Sequence, residues 1–591
     1  MPALTRTCQN CKSSFAIESE DFDFYKRIAV PPPTFCPTCQ IQRRFCFRNE
    51  RSFYKRKESL RGEEIISSVS AEKPYKVYAQ KDWWSDAWDP MVYGREYDFK
   101  KPFSAQFREL MREVPWPALT NWNATNSEYC NYTTDNKNCY LLIGSDFNED
   151  CSYGYMNFHS KDSLDQHWVE KVELSYECID VNNCFKVSFC QNIRDCTESV
   201  FLFDCTNCHH CVGCVGLRNK SHHIFNEPYA REEFEKKFAE LRLSTRSGLE
   251  KTGKIFAGLR SKFPHKFADI YKSVNCTGDK IQNSKNCHAC FDLLNEVEDS
   301  KNVIISAVCK DVHCADHVGW GGELVYDSIV VFSGVKNVRF SAFIRSSQDI
   351  TYSISCSSSS DLFGCVGLKN KQYCILNKQY SKEAYGTLVS KILKHMDEMP
   401  YVDSNGAVYR FGEFFPPELS PFAYNESIAQ EYFPLTKSEV MRHKLAWRED
   451  DEKQHHVSKM VEELPDGIAE VTDAILDDII ECAHKGQCAD QCTSAFRIIP
   501  SELQFHKRLN LPLSRLCPNC RYYERLRMRN PMKLWHRACA CTGTVSSNGA
   551  YENTVSHQHG SNKCPNEFET SYAPERSEIV YCEQCYQAEV A

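Results

Sequence analysis

The chain has 591 residues, 42% of them apolar and 12% aromatic, and a net charge of −8. That composition belongs to a folded protein of three or four domains, and it excludes a disordered chain and a uniformly basic nucleic-acid coat. No apolar run approaches the roughly 18 residues of a membrane span, so no membrane partner is expected. The opening Met1-Pro-Ala-Leu-Thr-Arg6 holds no signal-peptide core. Cysteine is the outlier, at 34 residues. CxxC pairs without a signal segment point to a reducing, cytoplasmic compartment, where thiols bind metal or fill cores.

Residues 1–101 read as an N-terminal zinc-ribbon module. Cys8-Gln-Asn-Cys11, a 24-residue loop and Cys36-Pro-Thr-Cys39 supply the four soft ligands of a tetrahedral zinc site. Phe15, Ile17, Phe24 and Tyr25 are expected to form a small core around the metal, and Pro31-Pro-Pro33 stiffens the approach to the second knuckle. A basic, aromatic strip follows, with Arg43, Arg44, Phe45, Phe47, Arg48, Arg51, Phe53 and Tyr54. Such a strip can hold a phosphate backbone and stack bases. It can equally be a solvated helix whose rings pack on the zinc module.

The module comes twice. Cys11, Phe15, Phe24, Cys36, Cys39, Arg48 and Tyr54 match Cys492, Phe496, Phe505, Cys517, Cys520, Arg529 and Trp535 at one offset, 481. Gln42-Arg43-Arg44, Arg48-Asn-Glu-Arg51 and Trp83-Trp84-Ser85-Asp86-Ala-Trp88-Asp89-Pro90 complete a pattern running from residue 8 to nearly 590. In this pattern the chain resembles uncharacterised Cys-rich, treble-clef-like zinc-ribbon proteins of uncultured, ultra-small bacteria, a family with no established activity. The resemblance implies a further zinc site with Cys pairs near 58 and 61 and near 79 and 82. This chain has Glu58, Arg61, Ala79 and Asp82 there. Four ligands missing together imply loss of the whole site, leaving one zinc in this module.

Residues 102–125 hold a connecting helix, with Phe103, Phe107, Leu110 and Met111 on one face and Pro115 and Pro117 ending it. Residues 126–243 then repeat short phrases, among them Asn138-Cys139-Tyr140, Asp150-Cys151-Ser152, Asn183-Cys184-Phe185 and Asp195-Cys196-Thr197, mostly 12 apart. An Asn or Asp at a left-handed corner, followed by a small inward residue, is the grammar of a solenoid. Two phrases are expected to make roughly one coil of a parallel β-helix. Its cysteines read as buried fillers. A metal cluster is the alternative, most plausible at Cys205-x-x-Cys208-His209-His210-Cys211-x-x-Cys214. Residues 244–265 read as a linker, polar and glycine-containing up to Gly258. Residues 266–399 form a second arm, whose end, Gly364-Cys-Val-Gly-Leu-Lys-Asn-Lys371, repeats Gly213-Cys-Val-Gly-Leu-Arg-Asn-Lys220 at an offset of 151. Each arm closes with a helix, near Arg231 to Leu241 and Lys382 to Met396. Val, Ile, Ser or Leu stands at several corners of the second arm where the first has Cys, which favours the filler reading.

Residues 400–483 read as an aromatic strap to Phe433, a charged helix from Lys437 to Val457, and a helix from Ala469 to Cys482 with Val471, Ile475 and Ile479 inward. Residues 484–591 are the second zinc module, with Cys488, Cys492, Cys517 and Cys520 for one ion and Cys539, Cys541, Cys582 and Cys585 for another. Cys564 substitutes if the close Cys539/Cys541 pair cannot both ligate. His557 and His559, on a Ser/Asn/His loop, are the weaker candidates. The basic strip returns as Arg521, Arg525, Arg527 and Arg529.

The fold expected is therefore mainly β with flanking helices: two parallel β-helix arms bracketed by zinc-ribbon modules, with three zinc ions per chain. No phosphate-binding glycine loop and no nucleophile elbow occurs. All-cysteine sites with no open position are the structural pattern and not the hydrolytic one. The leading reading is a non-enzymatic scaffold that presents the arms to a macromolecular partner, protein or nucleic acid. A nucleic-acid binder using both arginine strips is the first alternative. A carbohydrate-active β-helix is the second, with Asp311 and Asp316 as candidate groove acids.

Overall fold

The structure is a computed structural model, and it describes residues 2–449 and 456–590. Two large sheets of mainly parallel strands dominate it, with helices and small hairpins around them. In the first sheet, Leu164–Glu173 pairs in parallel with Tyr176–Ser188, placing Gln166 opposite Cys178, and Thr197 of the next strand lies opposite His209. Parallel bridges at the same 12-residue step begin at Thr125–Lys137. The chain thus returns alongside itself every 12 residues, one sequence phrase per rung and not the two expected. The reason is backbone geometry. A left-handed residue recurs every third position, as at Asn138, Leu141, Gly144, Phe147 and Asp150, so four bends close each rung.

Asn and Asp take this conformation readily, but Trp168, Phe189 and Phe201 hold it too. For such residues it costs roughly 1–2 kcal/mol each. The interstrand hydrogen bonds that surround every bend offset that cost. At the corners, side-chain amides stack along the ladder, with Asn138 donating to Asp150 at 3.1 Å and Asn207 to Asn219 at 2.7 Å.

The residue after each bend points inward: Cys139, Leu142, Ser145, Asn148 and Cys151 are all buried. Its own N–H can also turn inward, where the side chain one rung earlier accepts it. Leu142 N–H meets Cys130 Sγ at 3.4 Å, Cys196 N–H meets Cys184 Sγ at 3.3 Å, and Cys211 N–H meets Ser199 Oγ at 3.1 Å. The thiol donates in turn to the carbonyl two residues back, as Cys196 does to Arg194 at 3.1 Å. A small side chain that both donates and accepts fits this place, so Cys, Ser and Asn interchange there. Burial pushes the Cys130 thiol up to about 12, which keeps it protonated. Among the described residues no ladder cysteine belongs to a converging group of metal-ligating atoms, and this includes Cys205, Cys208, Cys211 and Cys214.

The second ladder repeats the scheme with rungs of 12 and 13 residues, Ile304 lying opposite Asp316 and Asp316 opposite Ile329. Both ladders end on the same asparagine lock. Asn226 accepts the Val215 N–H at 2.8 Å and donates to the Val215 carbonyl at 2.9 Å; Asn377 does the same to Val366, at 2.8 Å each way. Helices Arg231–Glu240 and Lys382–Glu398 follow, the first seating Phe234 with Val212 and Ile224 over the ladder end.

Three expectations for connecting segments are corrected. The supposed linker contains the helix Arg246–Lys262, capped by Thr245, whose hydroxyl accepts the Gly248 N–H at 3.1 Å. The helix expected from Ala469 to Cys482 is instead two 3-10 turns, Ile468–Glu470 and Asp473–Asp477, followed by the strand Ile480–Glu481. The charged helix is confined to Lys437–Arg442, and part of the stretch assigned to it lies outside the described residues.

Each terminal module touches both ladders. Val77–Tyr78 pairs in parallel with Trp116–Pro117 at the entry of the first ladder, and Val580–Tyr581 pairs with His265–Lys266 at the entry of the second. The helix Pro37–Phe45 then reaches the second ladder, where Arg44 meets Asp316 at 2.5 Å and Asp327 at 2.6 Å. The helix Pro518–Arg527 reaches the first, where Arg525 meets Asp165 and Glu177 at 3.0 Å each. Arg44 and Arg525 are related by the offset of 481, and Asp316 and Asp165 by 151.

These contacts place most of the arginine strips inside the fold. Arg43, Arg44, Arg48, Arg521 and Arg525 are buried in internal ion pairs with Asp327, Asp316, Glu50, Glu502 and Asp165, among others, and the partly buried Arg529 pairs with Asp180. Arg51 lies over the Tyr522 ring at 3.9 Å. Arg527 alone is strongly exposed, and it pairs with Asp490 at 2.5 Å. The aromatic residues are corrected in part. Phe24 stacks on His313 at 3.7 Å and Tyr25 meets Tyr326 at 5.6 Å, so both pack on the second ladder; Phe15 does pack beside the N-terminal cysteines, as expected, together with Phe35 and Tyr409.

Replacing Arg44 with Met leaves Asp316 and Asp327 buried without their shared cation. Loss of one partner from a buried network costs about 3–5 kcal/mol. Denaturant unfolding of Arg44→Met should show a loss of that order, against little change for the exposed Arg231→Met.

Candidate metal centres

Three four-cysteine groups converge, each with sulfurs within 4.8 Å of one another: Cys8, Cys11, Cys36 and Cys39; Cys482, Cys492, Cys517 and Cys520; Cys539, Cys564, Cys582 and Cys585. One local design builds all three. A strand delivers the first cysteine: Leu4–Thr7 leads to Cys8, Ile480–Glu481 to Cys482, and Trp535–Ala538 to Cys539. A helix delivers the last two from its first turn, with Cys36, Cys517 and Cys582 immediately before helices that begin at Pro37, Pro518 and Glu583. Proline suits the first helical position because its missing N–H would be unpaired there anyway. The free N–H groups and dipole of a helix start favour the thiolate form, which is the ligand.

The first sulfur accepts the N–H of the third cysteine in every case. Cys36 N–H reaches Cys8 Sγ at 3.3 Å, Cys517 N–H reaches Cys482 Sγ at 3.3 Å, and Cys582 N–H reaches Cys539 Sγ at 3.2 Å. Side-chain amides add to this, with Asn10 donating to Cys39 and Asn566 to Cys582 at 3.3 Å each. Hydrogen bonding from Cys36 draws the Cys39 thiol down to about 5, and bonding from Cys539 draws Cys582 down to about 4. Four such sulfurs suit a soft or borderline cation and leave no position for water.

The N-terminal group is the one expected from sequence. The other two each differ by one residue. Cys482 takes the place assigned to Cys488, because Cys482, like Cys8, directly follows the first strand of its hairpin. Ten positions separate Cys482 from Cys492, against three between Cys8 and Cys11, and the longer loop carries Cys488 outward. Cys488 remains 3.6 Å from Cys520, in a second grouping with His484 and Asp490. The short Ile480–Glu481 strand signal was masked by a helical spacing. In the last group Cys564 replaces Cys541, the substitution anticipated for a pair too close to ligate together. Cys541 lies beside His557, with Sγ 3.1 Å from Nδ1.

In the N-terminal module the place of the last cysteine group is filled without sulfur. Glu58 stands where Cys539 stands in the other module, and its carboxylate accepts the Leu60 N–H at 2.6 Å and the Arg61 N–H. Against the upward push of burial, the N–H groups of Leu60, Arg61, Gly62 and Glu63 hold the Glu58 carboxyl below its ordinary value. Arg61 and Asp82 close the site as an ion pair at 2.7 Å.

A recess of 380 Å³ opens between the two ladders. Trp122, Phe147, Phe332 and the half-exposed Trp320 supply rings, and Asp135, Asp146 and Arg345 supply charge. Arg345 lies 4.1 Å from the Trp122 ring and 5.6 Å from that of Phe332. Its buried Nη1 and both ring nitrogens of His317 make no hydrogen bond among the described residues. Burial, reinforced by the charge of Asp135, pushes the Asp146 carboxyl up to about 7. Neither acid proposed from sequence lines this recess: Asp316 is buried against Arg44, and Asp311 pairs with Arg27 at 2.6 Å.

No protein-family model matches the chain, and no match is found among the curated proteins.

Cys482→Ser should remove one metal ion per chain, measured by elemental analysis of the purified protein. Cys488→Ser should leave the metal content unchanged. The opposite result would place Cys488 in the group.

Proposed function

We propose that the chain is a non-catalytic scaffold, in which zinc-stapled modules hold two parallel β-helix arms face to face and the recess between the arms receives a partner. The observation that carries this reading is the recess itself. It combines aromatic faces with buried polar groups that lack partners, the usual make-up of a binding site. Arg345 Nη1 and the His317 ring nitrogens are the groups a ligand would satisfy. Zinc is the ion proposed, because all-thiolate tetrahedral groups of this kind are its usual structural sites. The inward arginines argue against a nucleic-acid surface on these strips, since their charges are already met by the chain's own carboxylates.

A second reading, cleavage of a polysaccharide, draws on one specific observation. A carboxyl held protonated to about pH 7 next to a second acid is the arrangement a glycosidase uses for its general acid. Asp146 would be the acid and Asp135 its anionic neighbour. Activity would then fall as pH rises through about 7, where Asp146 loses its proton, and Asp146→Asn would abolish it. A reducing-sugar assay on polysaccharides across this range decides between the two readings.

For the scaffold reading, Trp320→Ala should leave unfolding within about 0.5 kcal/mol of the parent, as exposed substitutions do. It should weaken capture of the native partner in affinity pull-downs, and that capture should persist in high salt. Capture unaffected by Trp320→Ala and Arg345→Ala together would overturn the assignment of the recess.

A further inference from the structure

We propose that the C-terminal module holds a third divalent ion of the zinc class on Cys541, His557 and His559, with Cys585 as a thiolate shared between this ion and the one on Cys539, Cys564 and Cys582. The two modules first show where these residues come from. Glu58 corresponds to Cys539 at the offset of 481, whereas Arg61, Ala79 and Asp82 correspond to Cys564, Cys582 and Cys585 at 503. The difference is an insertion of 22 residues between the first and second cysteine of the site. That insertion carries Cys541, His557 and His559.

The inserted loop folds back so that these three side chains and Cys585 bring their ligating atoms within 4.8 Å of one another. His559 Nε2 lies 3.3 Å from Cys585 Sγ. The outer partners are those of a metal site. His557 turns Nδ1 toward Cys541 and gives Nε2 to the Glu589 carboxylate at 2.7 Å, where both side chains are essentially inaccessible to solvent. His559 turns Nε2 inward and donates Nδ1–H to the Asn562 carbonyl at 2.6 Å. A carboxylate or carbonyl on the far nitrogen fixes tautomer and ring orientation in histidine-ligated sites. Glu589 is itself held by Thr554 N–H at 2.9 Å and Tyr551 O–H at 2.8 Å. Cys541 Sγ accepts from Asn553 at 3.2 Å and from the Gly543 N–H at 3.4 Å. Gly543, at φ +103°, lets the loop close: a Cβ there would stand 2.6 Å from the Gly560 carbonyl oxygen.

Cys541, His557 and Glu589 also have the connectivity of a nucleophilic triad. Cys541 is fully buried, so no substrate carbonyl can reach it, and a triad leaves the convergence of His559 and Cys585 unexplained. Shared with the neighbouring ion, Cys585 completes a four-coordinate set.

This inference rests on the reading that Cys539, Cys564, Cys582 and Cys585 hold an ion, and a difference measurement separates the two. Metal per chain is compared between the parent and two variants of the full protein. One is the His557→Gln, His559→Gln double variant; the other replaces 540–563 with a Ser-Leu pair, the length that joins Glu58 to Arg61. Each variant should contain one ion fewer than the parent, four falling to three. No difference would overturn the proposal whatever the total, whereas a variant total below three would count against the structural sites. Glu589→Gln should weaken the affinity of this one ion 10–100-fold and leave the others unchanged. In the cadmium-substituted protein, NMR should show two cadmium resonances coupled through the shared sulfur. Two uncoupled resonances would overturn the sharing of Cys585.

Discussion

The ion pairs between the module helices and the ladders set how the parts of this molecule meet. Two arginines at matching positions, Arg44 and Arg525, each bind two carboxylates on a ladder, and all of these groups are largely withdrawn from water. Each module also gives a short strand to the entry of the other ladder. Every module therefore spans both ladders, and the recess between them follows from that arrangement. A buried ion pair adds little net stability compared with an apolar contact, but it demands one geometry. Here it fixes which face of each ladder meets which module.

The ladders themselves depend on a different device. A bend at every third residue turns backbone N–H groups into the interior. A buried N–H without a partner is costly. Sulfur, hydroxyl and amide side chains one rung away meet that demand, which accounts for much of the cysteine in the chain without any metal. The second ladder carries more Val and Ile inside and shows shifts of register near Leu294 and Ala307.

The converging four-cysteine groups divide the cysteines into two chemical populations. Ladder thiols are spaced along the sheets and donate to carbonyls. Module thiols converge in fours at helix starts, where N–H groups favour thiolate. The two modules differ at one place: the N-terminal module has a carboxylate cap and an ion pair, where the C-terminal module has four converging cysteines and a longer loop carrying Cys541, His557 and His559.

The sequence by itself determined the local grammar. Internal offsets of 481 and 151 exposed the paired modules and ladders, CxxC spacing located the N-terminal cysteine group, and Asn or Asp before a small residue marked left-handed corners. These are short-range properties, written in a few consecutive residues. The sequence could not show that bends also occur at Leu141, Trp168 and Phe201, because those side chains do not favour the conformation and hold it only through the rungs on either side. It could not choose Cys482 over Cys488, since that choice depends on which one a strand aims at the helix start. Nor could it tell that the arginine strips point inward. A row of arginines reads the same whether its counter-charges are phosphates or the chain's own aspartates hundreds of residues away, and only the tertiary structure brings Asp165 and Asp316 to meet them.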